Sequence, residues 1–247
     1  VMSLSRLYWI PNGMKATEGC YVNYPFDDLL RLVALESTRH SCAVIGEDLG
    51  TVPPGFRETT HAAQMLSYRV MAFERRADGK FVRPPEYPAL AAASAATHDL
   101  ATLEGFWLGR DIAWRRRLAL YPDPAAEKAD SDGRRRDRRL LLEALIGEGL
   151  LAGDYIERFL PETGEPHYSA ELGEAILRYL AGSRARLMLL QLEDLVGESE
   201  QANLPGTTDG HPNWRRRLGR TLDEIAGSAA LRRTAQLIEE ARRRSAR

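Results

Sequence analysis

The sequence predicts an α/β fold of the (β/α)8-barrel (TIM) type, and three observations lead there. Four short apolar runs have the length and bulk of buried strands: 43–46 (Ala-Val-Ile-Gly), 68–73, 90–97 and 187–192. Each is followed by a polar cluster, Glu47-Asp48, Glu74-Arg75, His98-Asp99 and Glu193-Asp194 in turn. Polar residues gathered at the C-terminal ends of buried parallel strands are where a barrel of this kind carries its chemistry. Helical patterns fill most of the intervening sequence.

In chain order, the N-terminal segment bearing Tyr8, Trp9, Tyr21 and Tyr24 reads as an aromatic loop. Residues 27–40 place Leu29, Leu30, Leu32, Val33 and Leu35 at helical spacing behind the acids Asp27 and Asp28, which favour a helix N-terminus. The run at 90–97 is rich in alanine, so propensity alone favours helix there. Residues 97–121 read as a loop passing into a helix, and 134–147 as a helix carrying Leu140, Leu141, Leu145 and Ile146. Ser169 stands where an N-cap belongs for a helix over 169–181. Amphipathic helices are expected at 214–226 and 229–244. The intervals from Glu47 to Glu74 and from Glu74 to His98 suit ordinary βα units, whereas the interval from His98 to Glu193 has room for a helical excursion. Proline and glycine clusters at 53–55, 84–85, 122–124 and 205–206 fall between elements, as loops require.

Composition narrows the class. With 247 residues, 44% hydrophobic and 28% charged, the chain can bury a sizeable core, which excludes a disordered tail, a collagen-like fibre and a disulfide scaffold. No run reaches the roughly 18–20 apolar residues that span a bilayer. Cys20 and Cys42 are too few for a secreted disulfide framework and suggest reduced thiols in a cytoplasmic protein. Of 34 basic residues only Lys15, Lys80 and Lys128 are lysine. Arginine triplets occur at 115–117, 134–136, 215–217 and 242–244, but 35 acids give a net charge of −1. That balance argues for solvated helix faces rather than a nucleic-acid footprint.

The strand-end clusters supply the candidate chemistry. Glu47, a carboxyl at a strand end with Asp48 beside it, suits a general acid, and equally suits an N-cap or ion pair at a βα turn. Asp99 can hold adjacent sugar hydroxyls while His98 donates to another, or it can cap the following helix over a core histidine. Asn203, within Asn203-Leu204-Pro205-Gly206-Thr207, offers an amide to hydroxyls or simply makes a turn. Trp9 has a face that stacks on a pyranose ring or packs a loop. Five scattered histidines and two isolated cysteines make no metal site, and no glycine-rich phosphate loop is present, so no cofactor is expected.

Three segments carry a resemblance. They are 45–53 (Ile-Gly-Glu-Asp-Leu-Gly-Thr-Val-Pro), 96–107 (Ala-Thr-His-Asp-Leu-Ala-Thr-Leu-Glu-Gly-Phe-Trp), and Asn203-Leu204-Pro205-Gly206-Thr207 with His211-Pro212-Asn213-Trp214-Arg215-Arg216. Together with the Tyr8-Trp9-Ile10-Pro11 to Tyr24-Pro25 stretch, they resemble the amylomaltase-type 4-α-glucanotransferases of glycoside hydrolase family 77. Ala101 departs mildly from the pattern, standing where many such sequences have proline. The resemblance implies that Glu47 is the general acid/base, that Asp99 and His98 grip the distorted sugar, and that Asn203 and Trp9 contact substrate. It implies strands five to eight of a (β/α)8 barrel, with a helical insertion after strand seven at about 108–183 and the first half of the barrel absent. The family's nucleophile lies in an Arg-Ile-Asp-His motif expected just before Val1, so the chain is expected to be the C-terminal part of the catalytic domain and inactive alone. The implied partners are maltodextrin donor and acceptor, with no nucleic acid, membrane or cofactor. An α-glucan hydrolase on the same barrel and a non-catalytic α-glucan-binding protein are the competing readings.

Overall fold

Strand pairing follows sequence order. In the computed structural model, which describes residues 1–161 and 165–245, a four-stranded parallel sheet has the order β3-β4-β5-β6. Its strands are β3 (Ile45–Gly46), β4 (Leu66–Val70), β5 (Ala91–Ser94) and β6 (Leu187–Leu189). Ile45 pairs with Leu66 and Gly46 with Ser67, in parallel register. A separate antiparallel hairpin joins β1 (Arg6–Trp9) to β2 (Cys20–Asn23), with Leu7 opposite Val22 and Tyr8 opposite Tyr21. The aromatic segment expected to be a loop is therefore a ribbon. Its β-branched and aromatic residues fit a pleated surface, and Tyr8 meets Tyr21 edge-on at 5.0 Å.

The chain divides into two compact units. The first comprises Val1–Arg69, Pro88–Ala92 and Ala185–Leu187. It holds the hairpin, α1 (Phe26–Arg39), α2 (Phe56–Ala62) and the beginnings of the sheet strands. Here α1 begins at the expected place, with Asp27 and Asp28 in its first turn and Leu30 buried. The two helices meet through Phe26 and Phe56, whose rings stack at 5.0 Å.

The second unit takes in the remainder and is largely helical. Its helices are α3 (Leu103–Leu108), α4 (Arg110–Arg117), α5 (Pro124–Gly147), α6 (Tyr155–Phe159), α7 (Ala170–Ala181), α8 (Leu192–Val196), α9 (Leu222–Ala226) and α10 (Ala229–Ser245). α7 is the centre of this core. Leu172, Ile176, Tyr179 and Leu180 are buried along it, and it packs on α5 and α10. Ser169 caps it as expected, accepting the backbone N–H of Leu172. A guanidinium joins α5 to α4: Arg134 makes a bidentate pair with Asp111 at 2.8 and 2.9 Å, donates to the Phe106 carbonyl, and lies over the Phe106 ring.

Four expectations need correction. α5 starts ten residues earlier than its hydrophobic pattern, because Asp123 accepts the Ala126 N–H and Pro124 occupies the first helical turn. The interval between β4 and β5 contains no α-helix, only a 3-10 turn at Pro84–Glu86 and a bridge between Arg75 and Phe81. The helix expected at 214–226 exists only over Leu222–Ala226, where Thr221 and Glu224 form a capping box. The Asn213 side chain is consumed upstream in bonding a loop, and Trp214 has a left-handed backbone, φ +58°, which no helix can contain. Finally, Glu193 and Asp194 lie in the first turn of α8 instead of ending a strand.

Candidate active-site residues

Glu47 directly follows β3 in the first unit. Its side chain is exposed, and Oε1 accepts the N–H of Leu49 at 2.6 Å, so the turn holds one carboxylate oxygen in place. The neighbouring acid has a different task. Asp48 is 2% exposed. Its Oδ1 accepts the N–H of Tyr68 on β4, its Oδ2 accepts Arg57 Nε at 2.7 Å, and its carbonyl accepts Arg57 Nη2. An unpaired buried carboxylate is costly, and this one is satisfied on both oxygens. Asp48 thus ties the turn to the next strand and to α2, and Glu47 is carried on that anchored backbone.

Asp99 belongs to the second unit, five residues beyond β5. It does not cap the helix that follows; Thr102 does, accepting the Gly105 N–H at 3.0 Å. Instead Asp99 Oδ1 accepts the Asn203 side-chain amide at 2.6 Å, across 104 positions of sequence. His98 Nε2 lies 3.5 Å from the same oxygen. Oδ2 receives neither contact, and both side chains are largely open to solvent, Asp99 at 46% and His98 at 64%. A half-exposed carboxylate with one oxygen braced and the other turned to neither partner can accept hydroxyls from a polyol. His98 is no core histidine.

The loop that brings Asn203 there is built from its own side chains. Asn213 Oδ1 accepts the Leu204 N–H at 2.9 Å, and its Nδ2 donates to the carbonyl and hydroxyl of Thr207. His211 Nδ1 lies 2.6 Å from Asn213 Oδ1, and the buried Gln201 donates Nε2 to the Asn203 carbonyl. A few residues beyond Asp99, the N–H of Leu103 donates to Asp194 at 2.7 Å. Burial pushes the Asp194 carboxyl up to about 6, against the opposing pull of that N–H bond.

Of the residues singled out from sequence, Asp99, His98 and Asn203 are brought together in the second unit. Glu47 and Trp9 belong to the first. Trp9 is 56% exposed at the end of β1, with its indole N–H donating to the Tyr24 hydroxyl at 3.1 Å. Sequence reasoning missed Gln201 and the bracing roles of Asn213 and Asp194, whose partners are set by loop geometry that no periodicity reports. Among the described residues, no group of three or more His, Cys, Asp or Glu is placed to hold a metal ion, and no helix is long and apolar enough to cross a membrane.

Comparison with known proteins bears on the chain as a whole. The chain is 38% identical over 241 residues to a 4-alpha-glucanotransferase of Haemophilus influenzae, covering 94% of this chain and 32% of that protein. It is 35% identical over 219 residues to a 4-alpha-glucanotransferase of Mycobacterium bovis, covering 87% and 29%. Among solved structures, the crystal structure of amylomaltase from Corynebacterium glutamicum superposes with a TM-score of 0.86 at 29% identity, over 96% of this chain and 34% of that one. An amylomaltase from Streptococcus agalactiae, in complex with acarbose, shares the fold at 16% identity and a TM-score of 0.61, over 99% and 40%. The chain spans about a third of the length of the curated relatives it matches. The glycoside hydrolase 77 family, described as 4-alpha-glucanotransferase, matches over residues 1–222, and the chain belongs to that family.

Proposed function

We propose that these residues form part of a 4-α-glucanotransferase that moves α-1,4-glucan segments between maltodextrins by retaining double displacement. The observation that carries this reading is the Asp99–Asn203 hydrogen bond with His98 beside it, a braced and solvent-open carboxylate suited to sugar hydroxyls. Glu47, on the turn after β3, is the general acid/base. It protonates the departing glycosidic oxygen, then removes the proton from the 4-hydroxyl of an acceptor glucan. Asp99 and His98 hold the reacting sugar, and their hydrogen bonds strengthen as the ring flattens toward the oxocarbenium-like transition state. Asn203 acts through Asp99. Trp9 offers an exposed aromatic face to a glucan ring.

In a retaining pair the nucleophilic carboxylate stands about 5–5.5 Å from the acid/base. No Arg-Ile-Asp-His motif occurs in these 247 residues, so transfer is assigned to the polypeptide that supplies it, and the isolated chain is expected to be inactive. On this reading β3, β4, β5 and β6 are strands five to eight of a (β/α)8 barrel, an assignment supported by their parallel pairing in sequence order. The insertion at about 108–183 and the whole of 1–247 are then the C-terminal part of the catalytic domain. The substrates are maltodextrin donor and acceptor, the location is the cytoplasm, and no nucleic acid, membrane or cofactor takes part.

Incubation with maltotriose tests the reading. The full-length protein should yield glucose and longer maltodextrins with a constant number of reducing ends, whereas a hydrolase would raise that number. Glu47→Gln and Asp99→Asn should each lower the transfer rate by roughly 10²–10⁴-fold. Undiminished transfer in either variant would overturn the role given to that residue.

A further inference from the structure

Between α8 and α9 the described residues form neither helix nor strand, so the position of Asn203 depends on side chains that tie its loop down. Two of those ties converge on one residue, Trp114 of α4. Its indole N–H donates to Glu200, which precedes Asn203, and its ring meets the ring of His211, which follows Asn203, edge-on at 4.8 Å. Arg216 donates to the same Glu200 oxygen at 3.3 Å, and its guanidinium lies 5.8 Å from the centre of the Trp114 ring. Arg117, from α4 itself, lies over that ring at 4.9 Å.

Both ties lead to Asn203. Gln201, next to Glu200, is 3% exposed and donates Nε2 to the Asn203 carbonyl at 2.6 Å. On the far flank, Asn213 Oδ1 can only accept, so the buried His211 ring donates to it from Nδ1 at 2.6 Å. Asn213 in turn accepts the Leu204 N–H and donates to Thr207. Asn203, held from both sides, gives its amide to Asp99 Oδ1. Trp114 itself stands on a fixed base, because α4 is bound to α5 by three ion pairs: Asp111 with Arg134, Arg115 with Asp130 and Arg116 with Glu127.

We infer that Trp114 is a positioning residue for glucan transfer: from α4 it fixes both flanks of the loop at 200–213, and through Asn203 it sets the direction of the Asp99 carboxylate. The inference rests on the proposed transfer reading, which supplies the reaction. A carboxylate slightly misdirected loses most where its hydrogen bonds are strongest, in the transition state. The effect of Trp114 therefore falls on kcat rather than on KM.

Steady-state transfer from maltotriose by the full-length protein tests this. Trp114→Phe keeps an aromatic ring and removes only the N–H to Glu200. It should lower kcat roughly tenfold, with KM within about threefold of the parent. In an Asn203→Ala background the same substitution should lower kcat no further, since two residues acting as one unit do not add. Near-UV circular dichroism and thermal melts establish that the variants fold. Glu200→Ala removes the same bond from the loop side. It should reproduce both results, and it decides the matter if Trp114→Phe does not fold. Unchanged kcat in a folded variant, a rise in KM alone, or a full further loss in the Asn203→Ala background overturns the positioning role and leaves the transfer reading intact. A parent that yields no glucose and longer maltodextrins overturns the transfer reading, and the role of Trp114 with it.

Discussion

Two adjacent acids at one strand end have opposite fates, and the difference lies in what their neighbours donate. Asp48 is buried and its carboxylate takes a backbone N–H and a guanidinium; Glu47 stays at the surface with a single backbone bond to Leu49. The sequence offers Glu47 as the candidate acid with Asp48 beside it, and only the fold decides which of the two carboxyls is covered. Asp194 shows a third outcome. Its carboxyl is pushed up to about 6 by burial, while an unfolded chain titrates it near 3.8. A carboxyl raised in the folded state lowers stability as pH climbs through that interval, because the folded protein holds its proton longer than the unfolded one does. Below about pH 3.8 the penalty is absent, and above about pH 6 it is full, up to about 3 kcal/mol at 1.36 kcal/mol per pH unit. Asp194→Asn keeps an acceptor for the Leu103 N–H and removes the charge. The variant should therefore be more stable than the parent at pH 7 and indistinguishable near pH 4, as followed by thermal melts across that range.

At the scale of elements, local signals set where helices begin more reliably than hydrophobic spacing does. Asp123-Pro124 opens α5, Ser169 opens α7 and the Thr221–Glu224 capping box opens α9, each by satisfying N–H groups that a first helical turn leaves unpaired. What joins one helix to the next is less local. The Arg134–Asp111 pair, about 9% and 8% exposed, ties α5 to α4, and no heptad or charge pattern announces that these two residues, 23 apart, will meet in the interior. Removing one partner of a buried ion pair strands the other. Arg134→Ala should cost about 3–5 kcal/mol in urea unfolding, whereas the double variant Arg134→Met, Asp111→Leu should recover much of it. Comparable stability in Arg134→Ala and the parent would show that the pair is dispensable.

At the scale of the whole molecule, some arginines of the triplets lie beside acids: Arg115 pairs with Asp130, Arg116 with Glu127, Arg216 with Glu200 and Arg243 with Glu239. Guanidinium groups paired within the chain release few counterions from a phosphate backbone, which argues against a strongly salt-dependent affinity. Fluorescence anisotropy with a labelled DNA duplex should show no saturable binding at micromolar protein in low salt. A micromolar Kd that weakens steeply with added salt would refute this. The candidate site depends on which loops meet: the segments bearing Asp99 and Asn203 are brought together in the second unit although 104 residues separate them.

By itself the sequence determined the α/β class, most helix positions, the motifs that mark Glu47, His98, Asp99 and Asn203, and the family to which they point. These are matters of local pattern, since a side-chain period, a cap or a motif is written in consecutive residues. The alanine-rich run at 90–97, read as a strand from its apolar pattern against its helical propensity, is a strand over 91–94. Ala91, Ala92 and Ala93 are wholly buried there, and close packing in the sheet outweighs their helical preference. Only tertiary structure decided that Asn203 braces Asp99, that Asp48 anchors the turn bearing Glu47, and that Trp214 stands out from its loop instead of continuing a helix. Each of these depends on hydrogen-bond partners distant in sequence, which come within reach only when the chain has folded.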